Sequence, residues 1–218
     1  MRGLYKYPQA EFPYDRLVAE NAARTRKDPE FELADTGVFE ENRYFDVFTE
    51  YAKASPDDIL IRVRVFNRGP DAATLHLLPT VWFRNTWSWG LGNRRQRLRA
   101  AEAPKGARAI AVESEYYGPL VLQCEGASEL LFTENESNEQ RLWNFQNDSL
   151  HVKDGIDAYV VRGEAEAVNP ERVGSKASAM YVLTVPAGGS SSVRLRLSGK
   201  TGSADPFGSE FDGVFADQ

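Results

Sequence analysis

An alternating run of apolar and charged residues, ILIRVRVF, begins at Ile59 and constrains the fold more than any other part of the chain. Side chains alternate across a pleated strand, so this run can bury one face and expose Arg62 and Arg64 on the other. The turn-forming residues NRGPD follow, and a second apolar run, LHLL, begins at Leu75. We therefore expect a β-hairpin whose loop is longer than two residues.

Similar strand-like runs recur along the 218 residues, separated by polar turns. They are predicted at 31–33, 37–39, 43–51, 109–113, 120–124, 129–133, 158–161, 179–185 and 193–197. A short surface helix is predicted over 13–24, where Pro13 can occupy the first helical position. Short strands at this spacing, without a βαβ alternation, are typical of an all-β sandwich. We expect one such domain over residues 1–198.

Residues 199–218 differ in composition from the rest of the chain. Their first half, GKTGSADP, has the composition of a linker. Phe207, Phe211, Val214 and Phe215 then recur at helical spacing. We expect a linker followed by the start of a helix that leads into a further domain.

Charge and cysteine content exclude several classes of function. The chain has 26 basic and 32 acidic residues and a net charge of −6, which argues against a nucleic-acid or anionic-membrane partner. Its one cysteine, Cys124, allows neither an intramolecular disulfide nor a cysteine cluster for zinc. The N-terminus lacks the apolar core of a signal peptide, and no apolar run reaches the roughly 18 residues that a membrane span needs. We expect a cytoplasmic protein.

Three of the four tryptophans follow the second apolar run. In an extended chain Trp87 and Trp89 share a face, and flat aromatic surfaces suit both sugar rings and burial against a second domain. The arginines after them suit acidic ligands or a charged partner, but also an ordinary solvated loop. The candidate residues for sugar binding or an interdomain interface are Trp82, Arg84, Asn85, Trp87, Trp89, Arg94 and Arg95.

The residue types needed for catalysis or metal binding are sparse. His76 and His151 are the only histidines, and neither has a second ligand at motif spacing. Carboxylates two residues apart occur at 113/115, 134/136 and 164/166, a spacing that puts both on one strand face. In an acidic chain such pairs usually form a solvated face. We therefore expect no catalytic residue, metal site or cofactor in this chain.

The chain closely resembles a family of large bacterial glucosidases related to glycoside hydrolase family 63, which includes mannosyl-oligosaccharide glucosidases and mannosylglycerate hydrolases. The resemblance lies in LYKYPQAEFPYDRLVAEN, ELADTGVFEENRYFDVFTEYAKASPDDILIRVRVFNRGP and LHLLPTVWFRNTWSWG, and extends to the ending DPFGSEFDGVFADQ. It implies a β-supersandwich of the galactose-mutarotase or glucodextranase N-domain type, without its upstream strands. It also implies a C-terminal (α/α)6 barrel that holds the catalytic acid and base.

The resemblance transfers no catalytic residue onto this chain. It implies that the chain is a non-catalytic domain that supports the barrel of its parent polypeptide and lends a loop to the rim of the sugar site. Oligosaccharide and a second copy, bound through an exposed interface, are further expected partners. Two alternatives stay open: a free-standing carbohydrate-binding module and a mutarotase-like sugar enzyme.

Overall fold

The computed structural model describes residues 1–90, 94–199 and 205–216. Strands account for 41% of the structure and helices for 21%, and the strands form two antiparallel sheets, which confirms the predicted all-β class. The strands are β1 Arg2–Pro8, β2 Tyr44–Ser55, β3 Asp58–Asn67, β4 Ala73–Leu77, β5 Thr80–Trp82, β6 Arg97–Ala101, β7 Ala107–Ser114, β8 Gly118–Glu125, β9 Glu129–Thr133, β10 Val173–Gly174, β11 Lys176–Val185 and β12 Ser190–Gly199. The α-helices are α1 Tyr14–Ala22, α2 Glu139–Trp143, α3 Gly155–Arg162 and α4 Ser209–Ala216. Short 3-10 helices cover Leu33–Thr36, Glu40–Asn42, Trp87–Trp89 and Ala165–Ala167.

The larger sheet has eight strands in the order β1-β2-β3-β12-β8-β7-β6-β10. In the smaller sheet β11 pairs with β4, β5 and β9. The chain divides into two compact units. The first consists of Met1–Glu50, Arg62–Leu75 and Leu183–Ser192, and the second of Tyr51–Ile61, His76–Val182 and Val193–Gln218.

The hairpin predicted between the runs at Ile59 and Leu75 is wrong, because β3 and β4 belong to different sheets. The connection between them is fixed by Asn67, which is buried. Its amide nitrogen donates to the carbonyl oxygens of Asp71, at 2.7 Å, and Val185, at 2.9 Å. Its amide oxygen accepts from the Gly69 N–H and the Gln9 side chain. The turn is therefore stabilised by local bonds to Gly69 and Asp71 together with bonds to Gln9 and Val185, which are distant in sequence.

The first unit carries a ladder of charges on β1, β2 and β3. Arg2 is opposite Glu50 in the β1–β2 register, and Lys6 is opposite Asp46. Asp46 accepts hydrogen bonds from Lys6 at 2.8 Å and from Arg68 at 2.7 Å. Burial alone would raise the pKa of Asp46, but these two cations outweigh it and the pKa is lowered.

Strand β3 is buried on both of its faces. Val63 and Val65, in the first unit, are buried as the alternation predicts. Leu60, in the second unit, is on the opposite face and is buried too. Leu60 packs with Ala52 and Phe211, and Phe211 comes from α4. The helix predicted from the phenylalanine spacing is thus confirmed, and it covers a strand face that the sequence alone left open. Residues 200–204 of the predicted linker lie outside the described residues.

The predicted strand at 158–161 is wrong, because these residues lie in α3. The valines among them favour a strand. The segment is instead a helix, and its Ile156 packs against Leu131 and Val168. Gly155 allows this close packing, since a Cβ there would lie 2.2 Å from the Ala167 carbonyl oxygen. Tertiary packing has overridden local propensity.

The strand-like pieces predicted at 31–33 and 37–39 are also wrong. Leu33–Thr36 is a 3-10 helix with a capping box, in which Asp35 accepts from the Glu32 N–H at 2.8 Å. Gly37 ends it in a left-handed conformation with φ of 79°. The helix predicted over 13–24 is confirmed as α1, and none of its residues is buried. The strands predicted at 43–51, 109–113, 120–124, 129–133, 179–185 and 193–197 are confirmed as β2, β7, β8, β9, β11 and β12.

Candidate functional site

The aromatic stretch leaves β5 at Trp82 and turns at Trp87–Trp89 into a 3-10 helix. The segment is therefore not extended, so the condition under which Trp87 and Trp89 would share a strand face is not met. The turn is closed by Asn85, whose side chain accepts from the Ser88 N–H at 3.2 Å. Gly90 ends it with φ of 69°.

Backbone contacts anchor the segment that leads into this turn. Phe83 donates its N–H to the Ser175 carbonyl oxygen at 2.9 Å. Asn135 donates its side-chain amide to the Phe83 carbonyl oxygen at 2.9 Å. Both contacts come from the ends of β9 and β11, which pair directly. The aromatic turn is thus held by the smaller sheet.

A charged network lies beneath the turn. The Trp87 indole N–H donates to Glu136 at 2.9 Å, and the same carboxylate oxygen accepts from Arg95. Arg95 lies 3.5 Å from Glu134. The other oxygen of Glu134 accepts from the Ser175 hydroxyl at 2.5 Å. Both carboxylates are largely shielded from solvent and contact the Arg95 guanidinium, and Glu136 also fixes the Trp87 indole.

The tryptophan rings are bracketed by arginines. The Arg95 guanidinium lies 5.6 Å from the centre of the Trp87 ring, and that of Arg84 lies 5.2 Å from the Trp89 ring. Trp82 is 58% exposed and Trp89 is 53% exposed, whereas Trp87 is half-buried. Cations within about 6 Å of an aromatic face are attracted by the ring quadrupole. The turn therefore presents Trp89 with Arg84 on a supported loop, a surface that suits a sugar ring or a second domain.

A groove of about 490 Å³ lies beside the turn and takes in the remaining candidate residues. It is lined by Arg94, Arg95, Gln96, Arg97, Glu113, Ser114, Glu115 and Pro119. Arg94 lies 3.7 Å from Glu115, and Arg99 lies 2.8 Å from Glu113. Arg94 and Arg99 are thus paired with carboxylates of β7 and of the residue after it, whereas Arg95 contacts Glu134 and Glu136. This pairing weakens the interpretation of the run as a site for acidic ligands. Leu91, Gly92 and Asn93 lie outside the described residues.

The two histidines lie outside this site. His76 is exposed on β4, and His151 contributes its backbone, accepting from the Glu134 N–H at 2.8 Å. Within the described ranges, no group of three or more histidine, cysteine or acidic side chains is arranged to hold a metal ion. None of the helices in those ranges is long and apolar enough to cross a membrane.

The sequence did not single out the supports of the turn or a second aromatic surface. The spacing of Glu134 and Glu136 predicts that they share a strand face. It does not predict their contacts with Trp87 and Arg95, which depend on the fold. Trp143 stands apart from the other three tryptophans in the sequence. It is the last residue of α2, and three further exposed apolar side chains, Leu142, Phe145 and Leu150, lie in or shortly after this helix. Four bulky apolar residues within nine positions were the available signal.

Comparison with known proteins gives one informative match. No protein-family model matches the chain. The Saccharomyces cerevisiae uncharacterized protein YMR196W is 34% identical over an alignment that covers 90% of this chain and 21% of the yeast protein. The chain therefore spans about a fifth of the length of this relative. The similarity extends across nearly all of the domain described above.

Proposed function

We propose that this chain is the non-catalytic β-sandwich domain of a glycoside hydrolase, of α-glucosidase type. In this role it supports a catalytic (α/α)6 barrel of the same polypeptide. The aromatic turn and its arginines, from Arg84 to Arg95, contribute to the rim of the sugar site. A cytoplasmic location is part of the proposal.

The observation that carries the proposal is the supported presentation of Trp89. Its ring is half exposed and lies beside Arg84. Beneath it, Glu136 fixes Trp87 by accepting the indole N–H. The carboxylates near this surface are bound by arginine, so they are poorly placed to act as a hydrolase's acid and base. A surface that can contact sugar but lacks such a pair fits a rim and not a catalytic centre.

Two further observations support a domain within a longer polypeptide. The sequence resemblance is to two-part enzymes whose catalytic residues lie in the barrel. The yeast relative, in addition, has about four fifths of its length outside the aligned region.

The test compares oligosaccharide hydrolysis by the longest polypeptide that contains these residues with that of its Trp89→Ala variant. We expect kcat/KM for gluco-oligosaccharides to fall about tenfold, the usual effect of losing 1–2 kcal/mol of ring contact. Hydrolysis of a short aryl glucoside, which does not reach the rim, should change little. Tyr117→Ala is the matched control, since Tyr117 is an exposed ring between β7 and β8. Hydrolysis by the 218-residue chain alone at the rate of the longer polypeptide would overturn the proposal.

A free-standing carbohydrate-binding module is the second candidate, favoured by the exposure of both Trp82 and Trp89. The 218-residue chain is titrated with gluco- and manno-oligosaccharides while tryptophan fluorescence is followed. A saturable change that Trp89→Ala abolishes would support the module. A flat signal up to millimolar sugar would count against it.

A further inference from the structure

The loop that runs from Asn138 to Leu150 carries bulky apolar side chains on its outside. Leu142 and Trp143 lie in α2, and Phe145 and Leu150 follow it. The four side chains are between 57% and 91% exposed. Exposed apolar side chains clustered on one element mark a surface that meets a partner.

The loop is held in place by its own polar side chains. Asn138 caps α2 by accepting from the Arg141 N–H at 3.0 Å, and it also accepts from the Asn147 side chain at 3.1 Å. Asn147 in turn accepts from the Gln140 N–H at 3.0 Å. Asp154 fixes the base of the loop by accepting from the Asn138 amide at 3.1 Å. The apolar side chains are therefore presented on an ordered scaffold, which lowers the entropy cost of burying them against a partner.

The surroundings of the loop are acidic. The segment from Asn138 to Glu166, both included, contains six acidic and three basic residues. Two of the three cations are held by carboxylates of the same region: Arg141 by Asp154, and Arg162 by Asp157 and Glu164. Glu139 and Asp148 lie beside the apolar side chains in the loop itself. A two-fold contact between two copies would bring these like charges together, whereas a basic rim would complement them.

We propose that the loop 138–150 is the surface through which this domain docks onto another domain of the same polypeptide. Its partner is an apolar groove bordered by lysine and arginine. This inference rests on the domain role proposed above but not on its sugar chemistry. The yeast relative supports the choice of partner, because its aligned region is joined to a much longer polypeptide.

The test is hydroxyl-radical footprinting of side chains, read by mass spectrometry, on the 218-residue chain and on the longest polypeptide that contains it. We expect oxidation of Trp143 to fall about tenfold in the longer polypeptide, since the centre of an interface excludes water. Tyr117, an 80% exposed ring elsewhere in the second unit, should be oxidised at the same rate in both. An unchanged rate at Trp143 would overturn the proposal, as would a 218-residue polypeptide with no further domain.

Charge reversal tests the basic rim. Asp148→Lys in the longer polypeptide should restore at least half of the lost oxidation at Trp143, because it sets like charges against each other. Glu102→Lys, at an exposed position between β6 and β7, should restore none. Equal restoration by both variants would contradict a specific rim. If Trp143 is instead protected in the short chain in step with its dimerisation, a second copy occupies the loop and the proposal fails. If the longer polypeptide protects Trp143 but does not hydrolyse glucosides, only the proposed sugar function is refuted, and the docking proposal stands.

Discussion

Two arginines on β12 make the same kind of ion pair at different depths, and this difference gives a sharp prediction. Arg196 binds Asp58 through two hydrogen bonds of 2.8 and 2.6 Å. Arg194 binds Glu125 through two of 2.6 Å. Arg196 is buried and also donates to the Pro206 carbonyl oxygen at 3.2 Å, whereas the Arg194 pair is partly exposed. The two-bond geometry of the pairs is therefore matched, and burial is the main difference, although Arg194 also lies 5.3 Å from the Phe211 ring.

Removing the charge of Asp58 leaves a buried guanidinium without its counter-ion. We expect Asp58→Asn to lower the free energy of unfolding by about 3 kcal/mol, the lower end of values for breaking a buried pair. Glu125→Gln should lower it by about 1 kcal/mol or less, because solvent screens a partly exposed pair. With a urea m-value of about 2 kcal/mol/M, these losses lower the unfolding midpoints by about 1.5 M and at most about 0.5 M.

The assay is urea unfolding at pH 7, followed by far-ultraviolet circular dichroism. A double variant, Asp58→Leu with Arg196→Met, separates the pair's net contribution from the cost of leaving one charge alone. It should recover most of the loss, since replacing both ions by apolar groups is often neutral or stabilising. If Asp58→Asn lowers the midpoint no more than Glu125→Gln does, burial does not control the energetics of these pairs and the reasoning is refuted.

Three further perturbations test other parts of the structure. Phe211→Ala should lower the free energy of unfolding in urea by about 3–5 kcal/mol, because it removes a fully buried ring. Phe145→Ala, at an exposed position, should change it by about 0.5 kcal/mol or less. Equal effects would contradict the packing of α4 against β2 and β3. The pKa of Asp46 is lowered in the folded protein, so its ionised form stabilises the fold. This stabilisation is complete above the ordinary carboxyl pKa of about 4 and is lost as pH falls through the lower folded pKa. Asp46→Asn should therefore flatten the acid side of the plot of unfolding midpoint against pH; an unchanged slope would contradict the assignment. Burial raises the pKa of the Cys124 thiol to about 12, so a thiol reagent at pH 8 should label it only after unfolding; labelling of the native protein would show that the site opens.

The sequence predicted the strands whose pattern is set locally. The alternation of Val193, Leu195 and Leu197 with arginines predicts β12, and short apolar runs between turn residues predict β9 and β11. The helical spacing of Phe207, Phe211 and Phe215 predicted α4 for the same reason. In each case the apolar pattern within one element is enough to predict that element.

The errors lie where distant residues decide. Asn67 contacts the Val185 carbonyl oxygen, 118 positions away, and this contact helps to direct the connection that local turn chemistry predicted as a hairpin. Residues 158–161 form a helix because Ile156 packs with Leu131 and Val168. The supports of the aromatic turn come from Glu136 and Ser175, remote from Trp87 in sequence. No local pattern encodes such choices of partner.

The carboxylate pairs show why spacing alone is a weak guide to chemistry. In each pair the structure places an arginine against at least one member: Arg99 against Glu113, Arg95 against both Glu134 and Glu136, and Arg162 against Glu164. These carboxylates therefore position arginines and aromatic rings. The spacing marked these residues in the sequence, but only the fold shows that their partners are arginines and, at Glu136, the Trp87 indole.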